Sequence, residues 1–364
     1  MSSSDSLRRR LSDLVAADTQ NPSGDEAPLV AALAKDLSAL GASSVETFAV
    51  GRNRAVLAAF GPSPRVLVNA HIDTVPANSG YTSPPLELTE SGGRLYGLGS
   101  ADTKGAIAAA LQAIADRSAA GRPVANTAFL FSGDEECGNT VLRFFLESGG
   151  ARGIERVVVC EPTGCRVGVR HRGIGAAQGV ATSPGGHSSR ADSIHAPIAT
   201  LARAAAAIHD WGRERRGEGP RGFEGLCVNV AAIDGGIAFN VVPTRATLTV
   251  SFRPWPGADV LALHRDVEER ARAAAAPDPI DWQIAVANPP FASRDVGAFA
   301  PLLGERAGAP VDLHFWTEAA LFSAAGIDAV VFGPGEIAQA HAADEFVDTA
   351  QLEEARDVFI RGLP

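Results

Sequence analysis

RVLVNAHIDT (65–74), TAFLFSGDEE (127–136) and RVVVCEPT (156–163) share one plan: a short apolar run that stops on acids or a histidine. Between the first two lies TKGAIAAALQAIADRSAAG (103–121), and between the second and third TVLRFFLESGG (140–150), both with helical texture. Strands alternating with helices make a mostly parallel sheet with helices on both faces, an α/β class. AVLAAF (55–60) is read as a further strand of this region. Upstream, Leu7, Leu11, Leu14 and Val15 repeat at helical spacing. Leu29, Val30, Leu33, Leu37 and Leu40 do so again before Gly41, a natural stop, so two helices open the chain.

Near residue 172 the texture changes. GIGAAQGVATSP (173–184) reads as a strand, SIHAPIATLARAAAAIHDWGRERR (193–216) as a long helix, and CVNVAAIDGG (227–236) and RATLTVSFRPWPG (245–257) as two strands. A helix, DVLALHRDVEERARAAAA (259–276), and a strand, IDWQIAVA (280–287), complete a β-α-β-β-α-β order, the ferredoxin-like α+β arrangement. Beyond about 287 the first texture returns, with AVVFGPG (329–335) as a buried strand and TAQLEEARDVFIRGL (349–363) as a closing helix. The expectation is a discontinuous domain, 1–171 with 287–364, interrupted by a small domain at 172–286.

A length of 364 residues fits two cores better than one. With 46% hydrophobic and 20% charged residues the chain is neither disordered nor fibrous. A formal charge of −10 opposes a polyanionic partner, and the closest candidate for a phosphate-tracking run, Arg213 to Arg216 in WGRERRGEGPRG (211–222), is broken by acids and glycines, so no nucleic-acid partner is expected. MSSSDSLRRRLSDLVAADT (1–19) lacks the apolar core of a secretory signal, and no uninterrupted apolar stretch of about 18 residues occurs, so a cytoplasmic protein with no membrane partner is expected. Cys137, Cys160, Cys165 and Cys227 form neither a disulfide framework nor a C-x-x-C pair and are read as free thiols.

In open α/β sheets ligands bind beyond the carboxyl ends of the strands. There the three runs deliver His71 and Asp73, then Asp134, Glu135 and Glu136, then Glu161. Asp102, in GLGSADTKG (97–105), opens a helix and is either a ligand or an N-cap. Carboxylates converging on one sheet edge repel one another unless cations lie among them. Mixed imidazole and carboxylate donors favour zinc, with cobalt or manganese as substitutes, over calcium or magnesium. The donors exceed what one metal uses, which suits two metals sharing a carboxylate. Asp73, two residues past His71, is placed to fix the imidazole tautomer. His341, in AQAHAADEFV (338–347), is by itself only a loop histidine.

HIDTVP (71–76), GLGSADTKG (97–105), SGDEE (132–136), EPT (161–163), GGHSS (185–189), NVVP (240–243), FRP (252–254) and HAADE (341–345) together resemble the acetylornithine deacetylase and succinyl-diaminopimelate desuccinylase family of metallopeptidases, in family order and over the whole chain. The resemblance implies one zinc held by His71, Asp102 and Glu161 and a second by Asp102, Glu136 and His341, with Asp102 as the bridge. It implies Glu135 as the general base and Asp73 as the acid behind His71. The inserted domain is then a lid that also forms a homodimer. His187 would stabilise the oxyanion, often in the partner's site, and Asn240 and Arg253 would bind the substrate carboxylate.

FWTEAALFSAAG (315–326) with GPGEIAQAHAADEFV (333–347) is most similar to the acetylornithine and N-acetylcitrulline deacetylase branch. This implies hydrolysis of an N-acetyl amino acid in arginine biosynthesis, with Glu318 meeting a terminal amine or ureido group and Trp316 departing from the smaller residue usual before T-E-A. A desuccinylase, a broad aminoacylase or a carboxypeptidase on the same scaffold is the alternative. A binding protein without activity would have little use for Glu135 beside Glu136.

Overall fold

The computed structural model describes residues 2–364. It divides into two compact units: the N-terminal part to Val169 together with Ser293–Pro364, and Arg170–Ala292.

In the larger unit, strands Thr127–Ser132, Val66–His71, Arg156–Val159 and Asp328–Val331 lie side by side and parallel. Every residue of Thr127–Ser132 and Val66–His71 is buried, as a sheet covered on both faces requires. Val66, Val68 and Ala70 belong to one apolar core with Phe129, Phe131, Val158 and Val330, beneath helices Ser3–Val15, Lys104–Ala119 and Thr349–Gly362. Side chains alternate across a strand, so Leu67, Asn69 and His71 face the other side, where helices Thr140–Glu147 and Ala319–Ala324 pack. Each apolar side chain taken out of water in this way contributes about 1.5–3 kcal/mol.

The region around 55–60 departs from the parallel pattern. Strand Asn53–Phe60 runs antiparallel both to Thr127–Ser132 and to Ser44–Val50. A two-residue turn at Gly51 and Arg52, with Gly51 at φ 59°, joins it to Ser44–Val50, leaving no crossover helix that would make the pair parallel. The two opening helices are present as Ser3–Val15 and Ala27–Ala39. The first starts in a capping box between Ser2 and Asp5, and Gly41 follows the second at φ 94°.

In the smaller unit, strands Val228–Gly235, Arg245–Phe252, Ile174–Thr182 and Asp281–Asn288 form an antiparallel sheet in that spatial order. Helices Pro197–Glu214 and Val260–Ala275 cover one face, burying Leu201, Ile208, Trp211, Leu248, Phe252 and Val267. This is the ferredoxin-like β-α-β-β-α-β order. The unit spans Arg170–Ala292, and at its two ends Phe291 and Ala292 pair with His171 and Arg170. Val228–Gly235 is an edge strand with exposed alternate positions, and beyond it Ile237 and Phe239 are 89% and 100% exposed.

Candidate metal centre

His71 closes its strand buried, with Nδ1 2.9 Å from the Asp73 carbonyl and 3.6 Å from Asp73 Oδ1. An Nδ1–H held by that carbonyl leaves the Nε2 lone pair pointing into the site. Nε2 lies 3.0 Å from Asp102 Oδ1. Burial disfavours a charged imidazole here, but the hydrogen bonds to Asp102 and Asp73 outweigh it and hold His71 well above its ordinary pKa.

Asp73 is fully buried and fastens two loops together. Its Oδ1 accepts the Glu135 N–H at 3.1 Å. Its Oδ2 accepts the Glu136 N–H at 3.1 Å and the Asn21 amide at 2.6 Å. Adjacent glutamates are thus pinned by their backbones while their side chains diverge. Glu136 turns its carboxylate to His341 Nε2 at 2.9 Å, and Glu135 stays half-buried beside His71 and Glu318.

Asp102 precedes helix Lys104–Ala119, yet its carboxylate caps nothing; Thr103 occupies the N-cap without a side-chain bond. Instead Asp102 lies between the two imidazoles, Oδ1 toward His71 and Oδ2 3.5 Å from His341 Nε2. Burial raises its pKa, but the hydrogen bond and charge of His71, with His341 and Glu161 adding to them, together outweigh this and the net shift is downward. The Thr103 hydroxyl donates to the His71 carbonyl at 2.9 Å, tying this corner to the strand. Val158 and Cys160 belong to the core side, so Val159 and Glu161 fall on the side of His71. Glu161 is buried beside Asp102.

Burial raises the pKa of Glu135, Glu136 and Glu161, and the neighbouring carboxylates push each of them further up. Desolvated acids that raise one another mark a site whose compensating positive charge comes from outside the chain. His71, Asp102 and Glu136 each offer a ligand atom, and all three atoms lie within 4.8 Å of one another. One divalent cation fits such a gap at ordinary ligand distances of about 2.0–2.2 Å. Glu161 and His341 adjoin this trio through Asp102 and Glu136.

Glu345 was not singled out from the sequence, although it ends the HAADE motif. It is 2% exposed and accepts the N–H groups of Gly99, Ala101 and Asp102 at 2.8, 2.9 and 3.0 Å, shaping the turn that presents Asp102. Asn21 escaped notice as well. Glu318 is 1% exposed, with Oε2 accepting from Asn69 Nδ2 at 2.5 Å and Oε1 without a partner. Burial pushes its carboxyl up to about 7. It precedes helix Ala319–Ala324 without capping it. Trp316 is half-buried.

In the smaller unit His187 is exposed and belongs to a two-residue strand paired with Val241–Val242. Its Nδ1 lies 2.9 Å from Ser189 Oγ, and the Ser188 N–H donates to the Asn240 carbonyl at 3.0 Å, so His187 and Asn240 are neighbours. Arg253 is exposed past the far end of strand Arg245–Phe252, whose first residue pairs with Thr182 and whose last pairs with Gly175. At about 3.3 Å per residue, roughly 25 Å of strand separates Arg253 from the His187 corner.

The sequence pattern of peptidase family M20/M25/M40 matches residues 67–363. N-acetyl-L-citrulline deacetylase of Xanthomonas campestris pv. campestris is 35% identical, covering 96% of this chain and 94% of that one. Acetylornithine deacetylase of Myxococcus xanthus is 32% identical, covering 98% and 96%. Among solved structures, an M20 family metallo-carboxypeptidase from Sulfolobus solfataricus has the same fold at a TM-score of 0.79 and 16% identity, covering 98% of each chain. A dinuclear metal-binding M20 peptidase from Bacillus subtilis does so at 0.68 and 14%, covering 98% and 97%. Among the described residues no helix is long and apolar enough to cross a membrane.

Proposed function

Since the chain belongs to peptidase family M20/M25/M40 and is a metal-dependent amidohydrolase, we propose that it deacetylates an N-acetyl amino acid, N-acetylcitrulline or N-acetylornithine, in cytoplasmic arginine biosynthesis. The observation that carries the reading is the Asp73 clamp. It fixes the backbones of Glu135 and Glu136 side by side, sends Glu136 to His341, and leaves Glu135 as the carboxyl available to move a proton.

His71, Asp102 and Glu161 would hold one zinc and Asp102, Glu136 and His341 the other, with Asp102 between them; cobalt or manganese suits the same donors. Bound divalent cations supply Lewis acidity that polarises an amide carbonyl and makes water acidic near neutrality. Glu135 takes the proton of the attacking water and passes it to the departing amine, as a base turned acid does. Its upward shift by burial suits a group that must hold that proton between the two steps. His187 donates to the oxyanion, and Asn240 and Arg253 engage the substrate carboxylate, the guanidinium by a two-point contact. Glu318 and Trp316 act on the amino-acid side chain; the unpartnered Glu318 Oε1 favours a substrate rich in N–H donors.

The 25 Å of strand between His187 and Arg253, about eight residues' worth, exceeds one small acyl amino acid. His187 and Asn240 therefore serve a second copy of the chain. A homodimer through this domain is supported by the open edge strand Val228–Gly235 and the bare Ile237 and Phe239.

The deciding experiment is a hydrolysis assay, with and without chelator, across N-acetylcitrulline, N-acetylornithine, N-succinyl-diaminopimelate and simple N-acetyl amino acids. Activity confined to the first two and abolished by chelation is expected. Preference for the succinyl substrate, or full activity in chelator, refutes the reading. Glu135→Ala should retain metal and lose turnover by at least about a hundredfold.

A further inference from the structure

The segment Thr19–Glu26 lies between the two catalytic loops of the larger unit and touches both. Toward the loop after His71 it makes a short backbone lattice: Thr74 N–H to the Thr19 carbonyl at 3.1 Å and Asn21 N–H to the Thr74 carbonyl at 2.8 Å. The Thr19 hydroxyl adds a bond to the Ile72 carbonyl at 2.7 Å, and the Gln20 amide oxygen accepts the Ala77 N–H at 2.7 Å. Asn21 then reaches Asp73 Oδ2, the oxygen that also holds the Glu136 N–H.

At its other end the same segment meets the turn that carries the base. Glu26 is 5% exposed, and its Oε2 accepts the Arg54 N–H at 2.5 Å, while the Arg54 carbonyl accepts the Gly133 N–H at 2.9 Å. The Glu26 carboxyl lies flat on the bare face of Gly133. A Cβ there would stand 2.1 Å from its carbon and from both oxygens. Gly133 is not in the left-handed region, so room for Glu26, rather than backbone conformation, excludes a side chain. Glu26 begins helix Ala27–Ala39 but makes no side-chain cap bond there, so helix capping does not account for its burial.

We propose that Asn21 and Glu26 are positioning residues for the base. Glu26 pins the turn 133–136 at its start through Gly133, and Asn21 pins its end through Asp73, so that Glu135 is aimed by a brace more than a hundred residues away in sequence. The proposal rests on the reading of Glu135 as the base. Neither residue touches substrate or metal donors; each acts by removing slack. A misplacement of the base by about 1 Å is worth up to about a hundredfold in rate.

The test uses the metal-loaded full chain and four variants: Glu26→Ala, Glu26→Gln, Gly133→Ala and the double variant Glu26→Ala with Gly133→Ala, with Asn21→Ala alongside. Three quantities are read: kcat and KM on the best substrate, metal content, and amide exchange of the peptide spanning 133–137 by mass spectrometry. Glu26→Ala and Asn21→Ala should lower kcat about ten- to hundredfold with KM and metal content unchanged, and should speed exchange at Glu135 and Glu136. Glu26→Gln, which keeps the planar shape, should restore most of both. Gly133→Ala should be as harmful as Glu26→Ala, but nearly free of further cost once Glu26 is already Ala, because the two occupy the same space.

Wild-type exchange and kcat in Glu26→Ala, or losses that multiply in the double variant, overturn the proposal. If Glu26→Ala fails to fold, Glu26→Gln and Asn21→Ala carry the same exchange readout, and unchanged exchange in Asn21→Ala overturns it equally. Full turnover in Glu135→Gln would overturn the reading of the base instead, and the exchange data would then measure the brace alone.

Discussion

Glu345→Ala removes the acceptor for three buried backbone N–H groups, those of Gly99, Ala101 and Asp102. An unmet buried donor costs about 1–3 kcal/mol. Three left dry would cost about 3–9 kcal/mol, and water entering the vacated space recovers part, so the expected loss is about 3–5 kcal/mol. The isosteric Glu345→Gln is a sharper probe. Oε1 serves Ala101 and Asp102 and Oε2 serves Gly99, so a carboxamide retains two bonds and turns its NH2 against the third N–H. Its cost should be about 1–2 kcal/mol. Both variants are measured as metal-free protein by urea unfolding. Metal titration should show affinity falling in the order wild type, Gln, Ala, since the Asp102 backbone hangs on this acceptor. An Ala variant within about 1 kcal/mol of wild type, or with wild-type metal affinity, would refute the reasoning.

Burial holds the Glu26 carboxyl up to about 7 against an ordinary 4.5, so between those values the native state keeps a proton the unfolded chain has lost. Stability from this group therefore falls as pH rises through that window and is level above it; Glu26→Gln lacks the slope and should gain about 1–3 kcal/mol on wild type between pH 4.5 and 8. Parallel urea midpoints across that range would count against the buried acid. His341→Ala should cut tightly bound zinc from about two equivalents to about one while leaving the His71 side intact, as metal analysis after gel filtration will show. On the proposed homodimer, Phe239→Asp should shift the protein to a monomer on sedimentation and lower activity without lowering the melting temperature of the larger unit; an unaltered dimer would exclude this surface.

The strands were legible because burial on both faces leaves continuous apolar runs, and the ferredoxin-like order because its elements are long and periodic. Strand Asn53–Phe60 reads like its parallel neighbours, since composition carries burial but not direction; direction was set by the two-residue turn at Gly51. His71 and Glu161 were visible at strand ends. Asp102 was undecided because a ligand and a helix cap have the same local sequence, and only the approach of His71 and His341 separates them. Asn21, Glu26 and Glu345 stayed hidden for a common reason. Each acts on backbone or carboxylate groups far along the chain, Glu345 on a turn 243–246 residues away, and no local pattern encodes such a partner.

The strand Arg245–Phe252 acts as a ruler that keeps His187 and Arg253 apart, and the proposed homodimer, with His187 serving the partner's site, predicts complementation between inactive chains. In a mixed dimer of Glu135→Ala and His187→Ala chains, one site lacks both groups, while the other takes its base from one chain and its imidazole from the other. Two dead proteins, unfolded and refolded together in equal amounts, should therefore regain about a quarter of the wild-type sites, whereas either alone regains none.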